Sequence, residues 1–319
     1  MPIPEQMTKE VPTVVLRAPG DVAVREVVIA GQKSDDVLVR ITHSAISSGT
    51  ERLLWNGTMP AFPGLAYPLV PGYEAVGIVE ATGPAGDLSV GDTVFVPGAQ
   101  CHRAAAALFG ASSSYLFTSP NRAVRTDPTW GPDATLLALA ATAYHAIGVA
   151  SRPPELVVGH GVLGRLIARV MGALGHPKPT VWERNPQRRA SDTTSAIAEG
   201  DDDRTDYRSI MDVSGDASII DRLVARSAKG GQIVLAGFYA TPLGFSFAPA
   251  FMRETTIRIA AEFTRGDLSV VRDLVQAGTL DLSGLATHTL PFTEAANAYA
   301  TAFGDPDCLK MILDWSDVR

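Results

Sequence analysis

Six residues near the middle of the chain, Gly159-His160-Gly161-Val162-Leu163-Gly164, follow directly on the apolar run Leu156-Val157-Val158 and open a helical pattern from Leu163 to Leu174. The string G-x-G-x-x-G is a weak signal alone, and a purely structural glycine turn is the bland alternative. Between a buried strand and a helix it has a specific use. Gly159 can make the tight turn, Gly161 lets the backbone approach a pyrophosphate at the helix N-terminus, and Gly164 lets the helix pack closely on the strand. The next apolar run ends in Val181-Trp182-Glu183, and Glu183 stands 19 residues after Gly164, where a carboxylate usually takes the ribose hydroxyls of a dinucleotide. His160, Val162 and Leu163 within the loop share its candidacy, as does Arg184 beside Glu183.

Around this loop the pattern alternates. A helix over Ala134 to Val149 precedes strand Leu156 to Val158 and helix Leu163 to Leu174; strands Thr180 to Glu183 and Ser209 to Val213, helix Ala217 to Ala228 and strand Gln232 to Ala236 follow. Such alternation belongs to a parallel sheet with crossover helices. Only 28 residues lie between Glu183 and Asp212, too few for the helix, strand and second helix that about 35 would hold. One helix is therefore expected to be missing, with Asp201 to Tyr207 as a turn in its place. Ser214, Gly237 and Phe238, at the ends of the next two strands, complete the loop-side cofactor candidates. From Val11 to about Val124, short β-type runs broken by Gly and Pro suggest a small antiparallel barrel. After about His288 one helix and one strand remain, expected to return to the first domain. The fold class is thus α/β, an antiparallel barrel plus an abbreviated Rossmann-type parallel sheet, with expected domains 1–138, 139–265 and a returning segment 266–319.

Composition narrows the partners. Lys+Arg 27 against Asp+Glu 34 gives a net charge of -7, without the basic excess that binding to nucleic acid requires. Two cysteines, Cys101 and Cys308, cannot form a disulfide framework or a four-cysteine zinc site, and they suit a reducing cytoplasm. The longest apolar stretch, Ala134 to Ala150, contains His145 and reads as a packed helix, not a transmembrane span. A homo-oligomer stays open.

Pro71-Gly72-Tyr73-Glu74-Ala75-Val76-Gly77 resembles the G-H-E-x-x-G signature of the medium-chain dehydrogenase/reductase superfamily, and Val90-Gly91-Asp92-Thr93-Val94 resembles its V-G-D-x-V turn. The resemblance covers nearly the whole chain and implies a GroES-like catalytic domain ahead of a nucleotide domain. It also implies a catalytic zinc held at three positions, which in this sequence are Ser48, Tyr73 and Ala138. Alanine offers no donor, and neutral hydroxyls compete poorly with thiolate or imidazole, so the expectation is no zinc and no other metal. Further strings, Ser47-Ser48-Gly49-Thr50-Glu51, Trp55-Asn56-Gly57-Thr58-Met59-Pro60, Phe247-Ala248-Pro249-Ala250-Phe251-Met252 and Asp305-Pro306-Asp307-Cys308-Leu309-Lys310-Met311, look like the branch that oxidises the hydroxyethyl group of a chlorin or bacteriochlorin to acetyl in bacteriochlorophyll biosynthesis.

By that resemblance Thr50 matches the proton-relay position and Tyr73 replaces a histidine ligand, so Tyr73, Thr50 and Ser48 are the expected polar cluster around the substrate oxygen. An unperturbed tyrosine, with a pKa near ~10, is a better hydrogen-bond donor than base at neutral pH. The competing reading has Tyr73 merely filling the void left by zinc. Thr142 matches a threonine packed on the nicotinamide, and His145 reads as a satisfied core histidine. Trp55, Met59, Phe62 and Phe251 are candidate macrocycle contacts, with Arg253 as a cation for a propionate. Glu183 favours NAD, whereas Arg184, Arg188 and Arg189 could serve the 2′-phosphate of NADP. The rival functions are a zinc-free NADPH-dependent quinone or enoyl reductase and a noncatalytic nucleotide- or pigment-binding protein.

Overall fold

The computed structural model describes residues 7–61, 63–84, 86–189 and 196–318. The chain divides into two compact units, Met1–Ala138 with Leu282–Arg319, and Leu139–Asp281. In chain order the first unit opens with β1 (Thr8–Ala18) and β2 (Asp21–Ala30), an antiparallel pair turned at Gly20, whose φ of +74° suits glycine. Next come β3 (Val37–Ile46), α1 (Thr50–Asn56), β4 (Ala75–Thr82), β5 (Thr93–Val96), β6 (Tyr115–Thr118) and β7 (Val124–Arg125). A 3-10 segment, Pro128–Leu136, is capped by the Asp127 side chain and runs into α2 (Leu137–Val149).

The second unit carries β8 (Leu156–Val158), α3 (Val162–Ala173), β9 (Thr180–Trp182), α4 (Pro186–Arg189), β10 (Ala196–Ile197), β11 (Tyr207–Asp212), α5 (Ile220–Arg226), β12 (Ser227–Leu235), α6 (Phe247–Arg253), β13 (Thr256–Ile259) and α7 (Arg265–Gln276). The chain then returns to the first unit with β14 (His288–Pro291), α8 (Ala295–Gly304) and β15 (Met311–Asp314).

In the first unit the sheet order is β14-β15-β3-β4-β5-β7, with β6 also on β3. Because β3 is paired on both sides along its length, its residues are buried almost continuously, from Val37 to Ile46. The returning segment completes the core. Phe292 stacks on Trp315 with ring centroids 4.7 Å apart, and the Trp315 indole donates to Ser44 Oγ at 2.9 Å.

The second unit holds a parallel sheet in the order β10-β9-β8-β11-β12-β13. Between β10 and β11 lies no helix, only a 3-10 turn, Glu199–Asp201, and irregular chain. The buried Asp202 carboxylate accepts the Trp182 indole N–H and the Tyr207 hydroxyl, each at 2.7 Å, and so ties this irregular chain to β9 and β11. The expected helix Ala217 to Ala228 is shorter. It ends at Arg226, and β12 starts at Ser227, five residues ahead of the expected strand. Gly230, at φ +69°, and Gly231 disfavour helix, and the strand register shifts opposite them, between Tyr207 and Ser209.

Candidate active site and dinucleotide loop

In the first unit the Tyr73 hydroxyl sits at the centre of a small polar cluster. The chain around it is fixed on both sides: Ser112 N–H donates to Pro71 O at 3.0 Å, and Ala45 N–H to Glu74 O at 2.8 Å. Gly72 has φ +94°, and a Cβ there would stand 2.4 Å from Ser112 Oγ, so only glycine allows this approach. The Tyr73 ring meets Phe109 edge-on, with centroids 5.1 Å apart. Its hydroxyl lies 2.7 Å from Ser47 Oγ and 3.5 Å from Thr50 Oγ1.

The partner is thus Ser47 and not Ser48. Strand β3 ends at Ile46, the chain turns into α1, and Ser48 is left exposed, while Ser47 and Thr50 meet the Tyr73 hydroxyl. Burial, and then the neighbouring Glu74 charge, push the Tyr73 phenol well above its ordinary value. Such a phenol keeps its proton at neutral pH and donates it in a hydrogen bond.

Four buried groups, none of them given a role by the sequence, lie behind Tyr73. The fully buried Glu51 accepts Ser47 N–H at 3.1 Å on Oε1 and meets the Tyr299 hydroxyl at 2.5 Å on Oε2. Burial pushes its carboxyl up to about 7. Glu74 pairs with Lys310 at 2.6 Å, both side chains being almost wholly buried. Glu51, Glu74 and Lys310 stand in strings that carry the family resemblance, whereas Tyr299 stands in none. Tyr299 and Lys310 come from α8 and the residue before β15, so no local pattern shows that they meet Glu51 and Glu74.

In the second unit the glycine loop spans the carboxyl end of β8 and the N-terminus of α3. The order of strands reverses here, with β9 on one side of β8 and β11 on the other, which is where open α/β sheets bind ligands. Gly159 has φ +104°, and a Cβ on Gly164 would stand 1.8 Å from Gly159 O. A Cβ on Gly161 would meet nothing within 4 Å, so that glycine leaves open space in front of the helix N-terminus. Gly159 lies against Ser214, and Gly237 against Gly215 and Val213, so the ends of β8, β11 and β12 converge. Phe238 beyond them is 43% exposed.

Glu183 is buried, and its carboxylate accepts His160 N–H at 3.0 Å and Asn185 N–H at 2.7 Å. The His160 ring is turned inward, with Nδ1 3.0 Å from Arg188 O, so it braces the loop from behind. Arg165, almost wholly buried in α3 and missed in the sequence, donates to His160 O and Arg188 O, each at 3.1 Å. Arg184 is exposed, whereas Arg189 donates to the carbonyls of Glu183 and Arg184. Thr142 is half-buried on α2. His145, expected in a core, is instead partly exposed and pairs with Asp267 at 2.9 Å.

The expected macrocycle contacts scatter. Met59 is buried in the first unit's core, and Trp55 is tucked against Tyr299 and Phe303, with centroids 5.8 and 6.1 Å away. Phe62 lies outside the described residues. Phe251 is 64% exposed beside Phe247, and the Arg253 guanidinium donates to Ser227 O at 3.2 Å and Ala225 O at 3.4 Å, so its fork is already engaged with backbone.

Residues 33–127 match the alcohol dehydrogenase GroES-like domain. The 2-desacetyl-2-hydroxyethyl bacteriochlorophyllide A dehydrogenase of Cereibacter sphaeroides is 51% identical over 309 residues, covering 95% of this chain and 97% of that protein. The protein of the same name from Rhodobacter capsulatus is 52% identical over 287 residues, covering 89% and 91%. The chain belongs to the medium-chain dehydrogenase/reductase family. This medium-chain dehydrogenase is similar in fold to L-idonate 5-dehydrogenase of Escherichia coli, with a TM-score of 0.84 at 19% identity over 97% of this chain and 99% of that one. It is an oxidoreductase of the alcohol dehydrogenase type, with a GroES-like first unit and a second unit built for a nicotinamide dinucleotide.

The zinc of many members does not fit this donor set. Ser48 is exposed, the Tyr73 hydroxyl is engaged with Ser47, and Ala138 is buried with no side-chain donor. Among the described residues, no group of three or more His, Cys, Asp or Glu could hold a metal ion. No helix among them is long and apolar enough to cross a membrane.

Proposed function

We propose that this chain uses NAD, without zinc, to oxidise the hydroxyethyl group of a bacteriochlorophyllide-type macrocycle to acetyl. The observation that carries the reading is identity above half, over almost the full length, to two dehydrogenases whose names state that substrate. Bound NAD would supply the acceptor for the hydride from the carbinol carbon, and the hydroxyl gives up its proton. Tyr73 donates a hydrogen bond to the substrate oxygen as negative charge builds there, the role that a metal or an oxyanion donor fills elsewhere. Its phenol holds its proton too firmly to serve as the base. Thr50, half-buried beside it, offers the exit for the substrate's proton.

The glycine loop Gly159 to Gly164 takes the pyrophosphate, and Glu183 takes the adenosine ribose hydroxyls. A buried carboxylate at that point repels a 2′-phosphate, which supports NAD over NADP. Ser214, Gly237 and Phe238 would border the cofactor, and Thr142 would hold its nicotinamide. The first unit is the catalytic domain and the second the dinucleotide domain, in a protein working in the cytoplasm. The edge strand β13 leaves Ile259 74% exposed, α6 leaves Phe247 and Phe251 72% and 64% exposed, and such exposed apolar surface supports a homo-oligomer. Light scattering that finds only monomer would remove that part.

The deciding assay combines purified protein, NAD and hydroxyethyl bacteriochlorophyllide, and follows the acetyl product by its red-shifted absorption. Absence of turnover with both NAD and NADP defeats the reading. Stoichiometric zinc by elemental analysis defeats its metal-free part.

A further inference from the structure

Behind Tyr73 two buried carboxyls share one buried cation. Glu74 Oε2 lies 2.6 Å from Lys310 Nζ, and Glu51, with no exposed surface, meets Ser47 N–H and the Tyr299 hydroxyl instead. The groups facing Glu51 are Ser47 after β3, Tyr73 and Glu74 before β4, Tyr299 on α8 and Lys310 before β15. On its own helix, Arg52 turns outward to the Phe303 carbonyl. If both carboxyls were ionised, one net negative charge would be sealed beside the phenol, at a cost that a carboxyl avoids by keeping its proton. Glu74 has the lysine, so the proton belongs on Glu51.

We infer that Glu51 is a positioning residue that works as a neutral carboxylic acid, fixing Ser47 and through it the Tyr73 hydroxyl, and locking both to the returning helix α8 through Tyr299. Three observations make the chain of contacts specific. Glu51 N–H donates to Ser47 O at 3.0 Å, so the turn into α1 is closed by Glu51 on both its backbone and its side chain. Ser47 Oγ is the shortest partner of the Tyr73 hydroxyl. Tyr299 lies in the core with no exposed surface, so it cannot follow Glu51 if that side chain moves. Burial, which lifts the Glu51 carboxyl to about 7, accords with the neutral form. Ionising Glu51 would place a second negative charge near the oxygen on which the reaction itself builds negative charge, and so would slow hydride loss.

This inference rests on the alcohol oxidation proposed above, and its test separates the two. Glu51→Gln preserves the geometry of the neutral acid: its Oε accepts Ser47 N–H and its amide donates to Tyr299 Oη, but it cannot ionise. The first readout is the ratio of kcat for E51Q to kcat for wild type, followed from about pH 6 to about pH 8. The expected result is a ratio that rises at least about threefold across that range, because only the wild type acquires the buried charge. The second readout needs no turnover. Infrared difference spectra of wild type minus E51Q are expected to show a protonated-carboxyl stretch on the acid side that vanishes as pH rises through about 7. A flat kcat ratio, or a difference spectrum with only ionised carboxylate on the acid side, overturns the inference. If neither protein turns over but the infrared band is present, the failure lies with the proposed reaction and not with the state of Glu51.

Discussion

Lys310 Nζ and Glu74 Oε2 stand 2.6 Å apart across 236 positions of sequence, with almost no exposed surface on either side chain. This pair clamps the returning segment to the turn that presents Tyr73. A buried pair adds little net stability when intact, but removing one partner strands the other. Lys310→Met is therefore expected to lower unfolding stability by about 3–5 kcal/mol. Combining it with Glu74→Leu should recover much of that loss, and urea unfolding of the single and double variants checks this.

Glu51 also sets a dependence of stability on pH. Its carboxyl is raised from 4.5 to about 7 in the folded chain, so across that window the folded state holds a proton that the unfolded state has released. Stability is then present below about 4.5 and declines as pH rises toward 7, by about 3 kcal/mol in total if the full shift is expressed. Burial raises Glu74 as well, with the same sign. Denaturant midpoints measured across this range should fall more steeply for wild type than for Glu51→Gln.

The two inner glycines of the loop should fail differently. A Cβ at Gly164 stands 1.8 Å from Gly159 O, a backbone atom that cannot yield, so Gly164→Ala should lower the melting temperature and abolish dinucleotide binding together. At Gly161 a Cβ meets nothing within 4 Å. Gly161→Ala should leave folding stability within about 0.5 kcal/mol of wild type yet weaken NAD binding by about tenfold, because it fills the space the pyrophosphate needs. Calorimetric titration and a thermal melt on the same samples separate the two effects.

Around the phenol, the contacts predict an order of effects. Tyr73→Phe removes the donor and should lower kcat by about 100-fold with KM for NAD little changed. Ser47→Ala, which frees the Tyr73 hydroxyl at 2.7 Å, should cost more than Ser48→Ala, whose hydroxyl is exposed. Steady-state kinetics on the three variants tests the order. An equal loss for both serines would return Ser48 to the site.

Much of the frame was legible in the residues. The glycine loop, the alternating strands and helices, and the G-x-E turn around Tyr73 are local signals, each written in a few consecutive positions. The missing crossover was legible too, because a length of 28 residues cannot hold the usual elements. Less was legible around the candidate site. The family motif points to Ser48, whereas which of two adjacent hydroxyls meets Tyr73 depends on where β3 ends and α1 begins. Met59 and Arg253 carry the right chemistry for a macrocycle, but tertiary packing gave one to the core and the other to the carbonyls of Ala225 and Ser227.

A glycine-rich turn between a buried strand and a helix is written in residue type and spacing, so the residues alone were enough to show it, and the family resemblance put residues without good zinc donors, Ser48, Tyr73 and Ala138, at the expected ligand positions. Tertiary structure alone decided that Glu51, Glu74, Lys310 and Tyr299 meet behind Tyr73. These groups are up to 259 positions apart, from Glu51 to Lys310, and only the return of the last strand and helix to the first sheet brings them together. Whether a carboxyl carries a proton depends on the charges and solvent excluded around it, a quantity that exists only once distant segments have packed.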